Sequence, residues 1–344
     1  MFRLAADIYA RRACRLPMLA YLIRRSLHTL IVLVGVSIMT FTLIHLIPGD
    51  AAQVILGLDA TPEELARLRT LLELDQPLPV QYIGYMSRVL QGQLGTSIFQ
   101  HEPVSKLIME RLPATVELTL AAMLIAATVG TLTGIISSTR PNSWFDTLSV
   151  IVSLSGVAMP VFWLGMLGIL LFSLRLGWLP SFGRGEGIFP ATAEFLTSGN
   201  AQPLWDSLRH LALPAVTLGA FSTAIISRLV RSSMLEVLGL DYVRTARAKG
   251  LGERSIVVRH ALRNALIPVV TVVGLQVGVL LGGAVIAETI FAWPGLGRLL
   301  INAINTRDYP LVQGLVFVIA FMVSVINLLV DLMYGWLNPR VAYE

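Results

Sequence analysis

The chain has 344 residues, 55% hydrophobic and only 14% charged, which excludes an ordinary soluble domain of this length and points to an all-α polytopic membrane protein. Its formal charge of +5 comes from arginines gathered in a few segments, a pattern that bears on orientation. The single cysteine, Cys14, excludes an intrachain disulfide and any cysteine-rich metal site.

A bilayer core of about 30 Å needs roughly 20 apolar residues per helix, and about six segments meet that requirement. In chain order they lie near Leu27 to Ile47, Thr115 to Ser137, Leu148 to Leu174, Leu211 to Val230, Leu266 to Ala287 and Gly314 to Tyr334. Residues 1–17 precede a second methionine, Met18, and read either as a short amphipathic helix on the inner surface or as an upstream start. The first span is too long for a cleaved signal and no A-x-A site follows it, so residues 18–47 are expected to stay in the membrane.

Residues 48–112 make a long connection that should hold helices of its own. Thr61-Pro-Glu-Glu64 has the pattern of a capping box, with Pro62 at the first helical position. Leu65, Leu68, Leu71 and Leu72 follow as one apolar stripe. A second helix is expected near Pro79, with Tyr82, Ile83, Met86, Val89 and Leu90 on its buried side. This segment reads as an external cap that meets a partner or solute, or as cover for the ends of the bundle.

Within the spans, Gly130 and Gly134, and then Gly274, Gly278 and Gly282, recur at intervals of four. Such stripes let helix backbones approach closely in lipid. Gln276, a polar amide between two of these glycines, makes Gly274, Gln276 and Gly278 candidates for the lining of a path; a structural hydrogen bond is the competing reading. Pro160 and Pro214 should kink the third and fourth spans. Intramembrane carboxylates are few: Glu117, Glu288 and Asp331 lie near span ends, which argues against ion-coupled transport.

Orientation follows from the arginines. Arg3, Arg11, Arg12, Arg15, Arg24 and Arg25, then Arg140, the run from Arg231 to Arg263, and Arg340 should all lie in the cytoplasm. Both termini are then inside, and the acidic segment holding Asp50, Asp59, Glu63, Glu64, Glu73, Asp75, Glu102 and Glu110 is outside.

Enzymatic signatures are missing. The five histidines are scattered with no His-Glu-x-x-His, and Ser155-Gly156 lacks a Gly-x-Ser-x-Gly turn, so a membrane-embedded hydrolase has no catalytic residues to name and no metal site is expected. The lysines Lys106 and Lys249 follow Ser105 and Ala248. With no Gly-Lys there is no Walker-type phosphate loop, so any ATP must be bound by another subunit.

The stretch from Asp241 to Pro268 is a basic interruption between apolar runs. A short helix over Tyr242 to Lys249 would put Arg244, Arg247 and Leu251 on one side, with Tyr242, Ala246 and Lys249 around the other. Gly250 falls where a left-handed cap is expected, and Gly252 loosens the chain before a second helix with Ile256, Val257, His260, Ala261 and Ala265 on one flank. The product is a small projecting knob ahead of the fifth span. Guanidinium groups on it can pair with carboxylates of a partner; the competing reading is an ordinary basic inner loop.

Tyr242-Val-Arg-Thr-Ala-Arg-Ala-Lys-Gly250, followed by His260-Ala-Leu-Arg-Asn-Ala-Leu-Ile-Pro268, resembles the cytoplasmic coupling loop of bacterial ABC importer permeases. The nearest likeness is to the "B"-type subunit of the dipeptide and oligopeptide group. Ile47-Pro-Gly-Asp50, Ser232 to Leu238, Glu288 to Gly297, Arg307 to Gln313 and Asn338-Pro-Arg340 extend the resemblance from Met18 to the C-terminal end. The general importer motif carries Glu-Ala-Ala where this chain has Arg244, Thr245 and Ala246. The interval from Gly250 to Pro268 is also longer than in sugar importers, and both departures are similar to peptide permeases.

The resemblance implies a type I ABC importer transmembrane domain in the bacterial inner membrane. Residues 113–336 would be its core, with the coupling loop at 231–265 and a cytoplasmic tail at 337–344. It implies contact with an ATPase through Asp241, Tyr242, Arg244, Thr245, Ala246, Arg247, Ala248, Lys249 and Gly250. Expected partners are a second, similar permease, one or two cytoplasmic P-loop ATPases that bind ATP and Mg, an external solute-binding protein and membrane lipid, but no nucleic acid. Peptides are the expected solute, with nickel, glutathione or short sugars as alternatives within the group.

Overall fold

The computed structural model describes residues 23–42, 61–71 and 75–337. The N-terminal 17 residues, the Ile47–Asp50 motif, Leu72, the side chains of Leu68 and Leu71, and Asn338–Arg340 lie outside the described part. The elements are helical: α1 (Ile23–Thr42), α2 (Pro62–Leu71), α3 (Leu78–Leu90), α4 (Val104–Thr139), α5 (Trp144–Ala158), α6 (Val161–Arg175) and α7 (Ile188–Ser198). They continue with α8 (Gln202–Leu238), α9 (Asp241–Ala248), α10 (Glu253–Ile290), α11 (Leu296–Asn305) and α12 (Tyr309–Leu337). Among the described residues the one extended pairing is an isolated bridge between Thr96 and Pro103.

Helices α1, α4, α8, α10 and α12 are each long and apolar enough to cross a membrane, and α5 with α6 forms a sixth, broken span. At 1.5 Å per residue, the 36 to 38 residues of α4, α8 and α10 run about 55 Å, well beyond the hydrocarbon. Their ends therefore build the structure on both membrane faces. The fourth span was expected only over Leu211 to Val230, and the loop from residue 231; instead α8 carries Arg231 and Ser232 as helix and stops at Leu238.

The third span departs from a single kinked helix. Proline disfavours helical backbone in the residue before it, and Met159 is extended (φ −82, ψ 129) ahead of Pro160. The helix axis turns by 110° there. Pro214 causes no such interruption, and α8 continues through it as one helix. The difference lies in the neighbours: Pro214 is buried in the bundle, where surrounding helices hold the backbone.

α4 and α8 make the closest contact. A β-carbon built at Gly130 would lie 2.9 Å from the Thr223 carbonyl oxygen, and one at Gly134 2.7 Å from that of Ser227. From the other side, one at Gly219 would lie 2.7 Å from the Ala122 oxygen. The Thr133 hydroxyl adds a hydrogen bond to Ser227 Oγ at 2.9 Å. On α10 the stripe is shorter than expected: Gly274 faces Val330 and Gly278 faces Asn327, but Gly282 has nothing within 4 Å.

The segment between the first two spans forms two helices among its described residues. Thr61 and Glu64 exchange the capping-box hydrogen bonds, Thr61 N to Glu64 Oε2 at 3.0 Å and Glu64 N to Thr61 Oγ1 at 3.3 Å. Donation from the Thr61 amide, then its hydroxyl, holds the Glu64 carboxyl below its ordinary value. α3 packs on α1, with Phe41 against Tyr82 and Tyr85 and the Ser37 hydroxyl 2.7 Å from that of Tyr82. Its inward side is therefore Gln81, Tyr82, Tyr85, Met86 and Val89. Ile83 and Leu90, expected there, are 67% and 83% exposed, since beside a bilayer an apolar side chain need not face protein.

Three buried carboxylates lock the end of the bundle that carries α7 and α11. Glu288 accepts from the Thr115 hydroxyl (2.6 Å) and the Arg298 amide (3.0 Å), so it caps α11. Trp293 donates its indole N–H to the Ala114 carbonyl at 2.8 Å. Asp308 takes the Ser97 hydroxyl and the Ile98 and Phe99 amides, which fixes the loop leading into α4. Glu117 is held by both prongs of Arg184 (2.8 and 2.7 Å) and by the Phe189 amide at the start of α7.

The two kinds of glycine on the spanning helices should separate in mutants. Gly134→Leu, with backbone in its way, is expected to cost at least about 2 kcal/mol by overpacking and to lower the thermal transition of the detergent-solubilised chain. Gly282→Leu should leave that transition within about a degree. Equal behaviour of the two would contradict the close approach of α4 and α8.

Candidate coupling site

Two residues, Gly239 and Leu240, join the C-terminal end of α8 to α9. Leu240 is extended (φ −74, ψ 150) and Asp241 and Arg247 occupy opposite ends of the short helix, in the sense that suits its dipole. The helix ends as expected at Gly250, which is left-handed (φ 76). The Gly250 amide reaches the Arg247 carbonyl at 2.9 Å and the Leu251 amide that of Ala246 at 3.3 Å, closing the terminus.

A small apolar cluster seats the knob. Val243, Ala246 and Ile256 are buried against one another and against Leu238, the last residue of α8. The sequence pattern does not single out Val243, and it sets Ala246 with Tyr242 and Lys249 around the side opposite Arg244 and Arg247. In the structure Ala246 turns inward instead. Tyr242 is fastened from α10: Asn264 Nδ2 donates to the Tyr242 hydroxyl at 2.8 Å, and that hydroxyl donates to the His260 carbonyl at 3.2 Å.

α10 has no break between the knob and the fifth span, contrary to the expectation of a separate second helix. Its first buried positions are Ile256, Ala261, Ala265 and Val269, at intervals of five, four and four. The wide first interval falls in a π-helical turn over Ile256–Ala261, which rotates the following residues enough to keep one face inward. Sequence periodicity alone offers no sign of that extra residue.

The outward surface carries Asp241, Arg244, Thr245, Arg247, Ala248, Lys249 and Gly250, all exposed. Arg244 is 72% exposed and pairs with Asp241 at 3.3 Å; Arg247 pairs with Glu253 at 2.8 Å, a residue the sequence reading had not connected to it. Exposed pairs of this kind contribute about 0–1 kcal/mol, so they orient the guanidinium groups yet exchange readily for carboxylates on another surface. The Glu253 hydrogen bond raises the Arg247 pKa.

Gly274, Gln276 and Gly278 belong to a different part of α10 and are not brought to this surface. Gln276 accepts from the Ser222 hydroxyl on α8 at 3.0 Å, while the two glycines pack on α12. Among the described residues no group of histidine, cysteine, aspartate and glutamate could hold a metal ion.

Comparison with known proteins agrees with this architecture. Residues 130–343 match the family described as binding-protein-dependent transport system inner membrane component, and residues 18–119 match the N-terminal family of the same systems. The dipeptide transport system permease protein of Alkalihalophilus pseudofirmus is 48% identical over 95% of this chain and 100% of its own length. The di/tripeptide transport system permease protein of Pseudomonas aeruginosa is 47% identical over 95% and 100%. The glutathione transport system permease protein of Salmonella paratyphi A is 42% identical over the same shares. Among solved structures, the inward-facing MetNI methionine ABC transporter matches with TM-score 0.50 and 19% identity, over 67% of this chain and 96% of the other. That likeness establishes the fold as that of an ABC transporter membrane domain.

Ile256→Ala should unseat the knob, since removing most of a fully buried side chain costs about 2 kcal/mol or more. Trypsin cleavage after Lys249 in the solubilised chain is then expected to accelerate at least about tenfold. Cleavage at the original rate would mean that the cluster around Ile256 does not hold α9.

Proposed function

This chain belongs to the family of inner-membrane components of binding-protein-dependent transport systems, and we propose that it passes short peptides inward as one permease subunit of an ATP-driven importer. The observation that carries the energetic half of this reading is α9 itself. It is a rigid, exposed, basic knob joined by two residues to the most buried spanning helix, and the chain has no Gly-Lys with which to bind a nucleotide of its own.

The assembly consists of this chain, a second similar permease, and one or two cytoplasmic ATPases that hold ATP and Mg. An external solute-binding protein delivers cargo to the outer face. α9, with Asp241, Arg244, Thr245, Arg247, Ala248, Lys249 and Gly250 outward, seats in the ATPase surface. Both termini and α9 lie in the cytoplasm, a reading that the arginine distribution supports. Closure of the ATPase pair on ATP favours one arrangement of the spanning helices over another, and the difference in docking free energy is what drives the change.

Short peptides are favoured as cargo because the similar permeases named above serve dipeptide, di/tripeptide and glutathione systems, all of which share peptide-bonded amino acids with charged termini. Ion coupling is disfavoured by the carboxylates within the spans. Glu117 is paired with Arg184, Glu288 caps α11 and Asp331 lies 3.1 Å from Arg25.

The test is uptake of a labelled dipeptide into proteoliposomes holding the chain with its ATPases, second permease and binding protein. Uptake should require internal ATP and persist when the proton gradient is collapsed. Arg244→Glu should cut ATPase co-purification severalfold by placing like charge at the contact. Uptake that follows a proton gradient without ATP would overturn the importer reading.

A further inference from the structure

We propose that Asp146 and Arg231 are positioning residues for coupled transport: their buried ion pair fastens α5 to the inner end of α8, so that a displacement of α9 moves α4, α5 and α8 together. The proposal rests on the importer reading above and adds to it the means by which movement at the knob reaches the helices.

Arg231 lies seven residues before Leu238, the residue that packs under α9, a distance of about 10 Å along the helix. Its Nε and Nη2 stand 2.7 and 2.8 Å from the two oxygens of Asp146. The same carboxylate accepts from the Ser137 hydroxyl near the end of α4 and from the Asn142 amide, 2.9 Å away, in the turn between α4 and α5. The Asp146 amide donates to Ser143 Oγ at 3.2 Å, the cap of α5. One carboxylate thus gathers donors from α4, its turn and α8. Its side chain is 4% exposed and that of Arg231 29%, so little water competes with these bonds.

Helix α5 lies along α8 but buries few of its own side chains there. Asp146 and Ser153 are its buried residues, and Gly156 meets α8 only at ordinary contact distance, 3.6 Å from the Ala220 oxygen for an added β-carbon. α4 and α8 are already joined by their glycines. The ion pair therefore adds little to that contact and pins the start of α5, which otherwise only lies along α8, firmly to it, with α6 beyond the 110° bend. A two-pronged arginine pair suits this role because it resists rotation as well as separation, which a lysine's single ammonium would not.

The experiment compares uptake per ATP hydrolysed in the reconstituted complex of wild type, Arg231→Lys, and the double variant Asp146→Asn with Arg231→Met. Removing both charges avoids a lone buried charge, the usual cause of misfolding when one partner is lost. The double variant is expected to assemble and hydrolyse ATP at the wild-type rate, while uptake per ATP falls about tenfold; Arg231→Lys should fall part of the way. Wild-type uptake per ATP in the double variant would overturn the proposal. If the double variant does not assemble, Arg231→Lys decides, and an unchanged ratio there is equally fatal. A wild-type complex without ATP-driven uptake would strike the importer reading and not the ion pair.

Discussion

Helices surrounded by lipid gain nothing by hiding apolar surface from it, so two of them stay together only where their backbones approach closely or polar groups meet. The contact between α4 and α8 meets this constraint with Gly130, Gly134 and Gly219, each set against a carbonyl of the other helix. It makes α8 the axis of the molecule. Over its most apolar window α8 is 61% buried, against 11% for α1 and 17% for α12. Because α9 hangs from the end of this axis, a force on α9 acts directly on the most enclosed helix of the bundle.

Buried carboxylates supply the second kind of fastening. Glu117, Asp146, Glu288 and Asp308 each collect donors from segments remote in sequence. Inside or beside hydrocarbon an unpaired charge is costly, and a carboxylate that must be satisfied selects one arrangement of the segments that satisfy it. These residues therefore explain why the connecting loops and α11 are ordered around the bundle. They also explain why acidic residues in the spans of this chain signify attachment and not ion movement.

What the sequence made legible was whatever depends on neighbours along the chain. The apolar spans, the Thr61–Glu64 cap, the left-handed Gly250 and the packing role of Gly130, Gly134, Gly274 and Gly278 all rest on local spacing. What stayed hidden depends on distant partners. Nothing near Asp146 announces Arg231, 85 residues away, and nothing near Glu288 announces Thr115. Gly282 obeys the same four-residue interval as its neighbours but has no helix opposite it. The helices α7 and α11 were missed for a related reason: each is too short to span and lies between spans, where the sequence reads as connection. The break at Pro160 was visible as a proline, but its 110° turn, unlike the uninterrupted passage of α8 through Pro214, was set by the surrounding packing.

The central claim is that α9, α8 and α5 move as one body. It is tested most directly by spin-label distances in the assembled complex, with Cys14 replaced and labels at Thr245 on α9 and Leu148 on α5. Between the nucleotide-free and ATP-bound states the account predicts that this distance changes by less than about 2 Å, while the distance from Thr245 to a label on the partner permease changes by more. A change of several ångströms between Thr245 and Leu148 would mean that the knob slides past the helices it is supposed to carry.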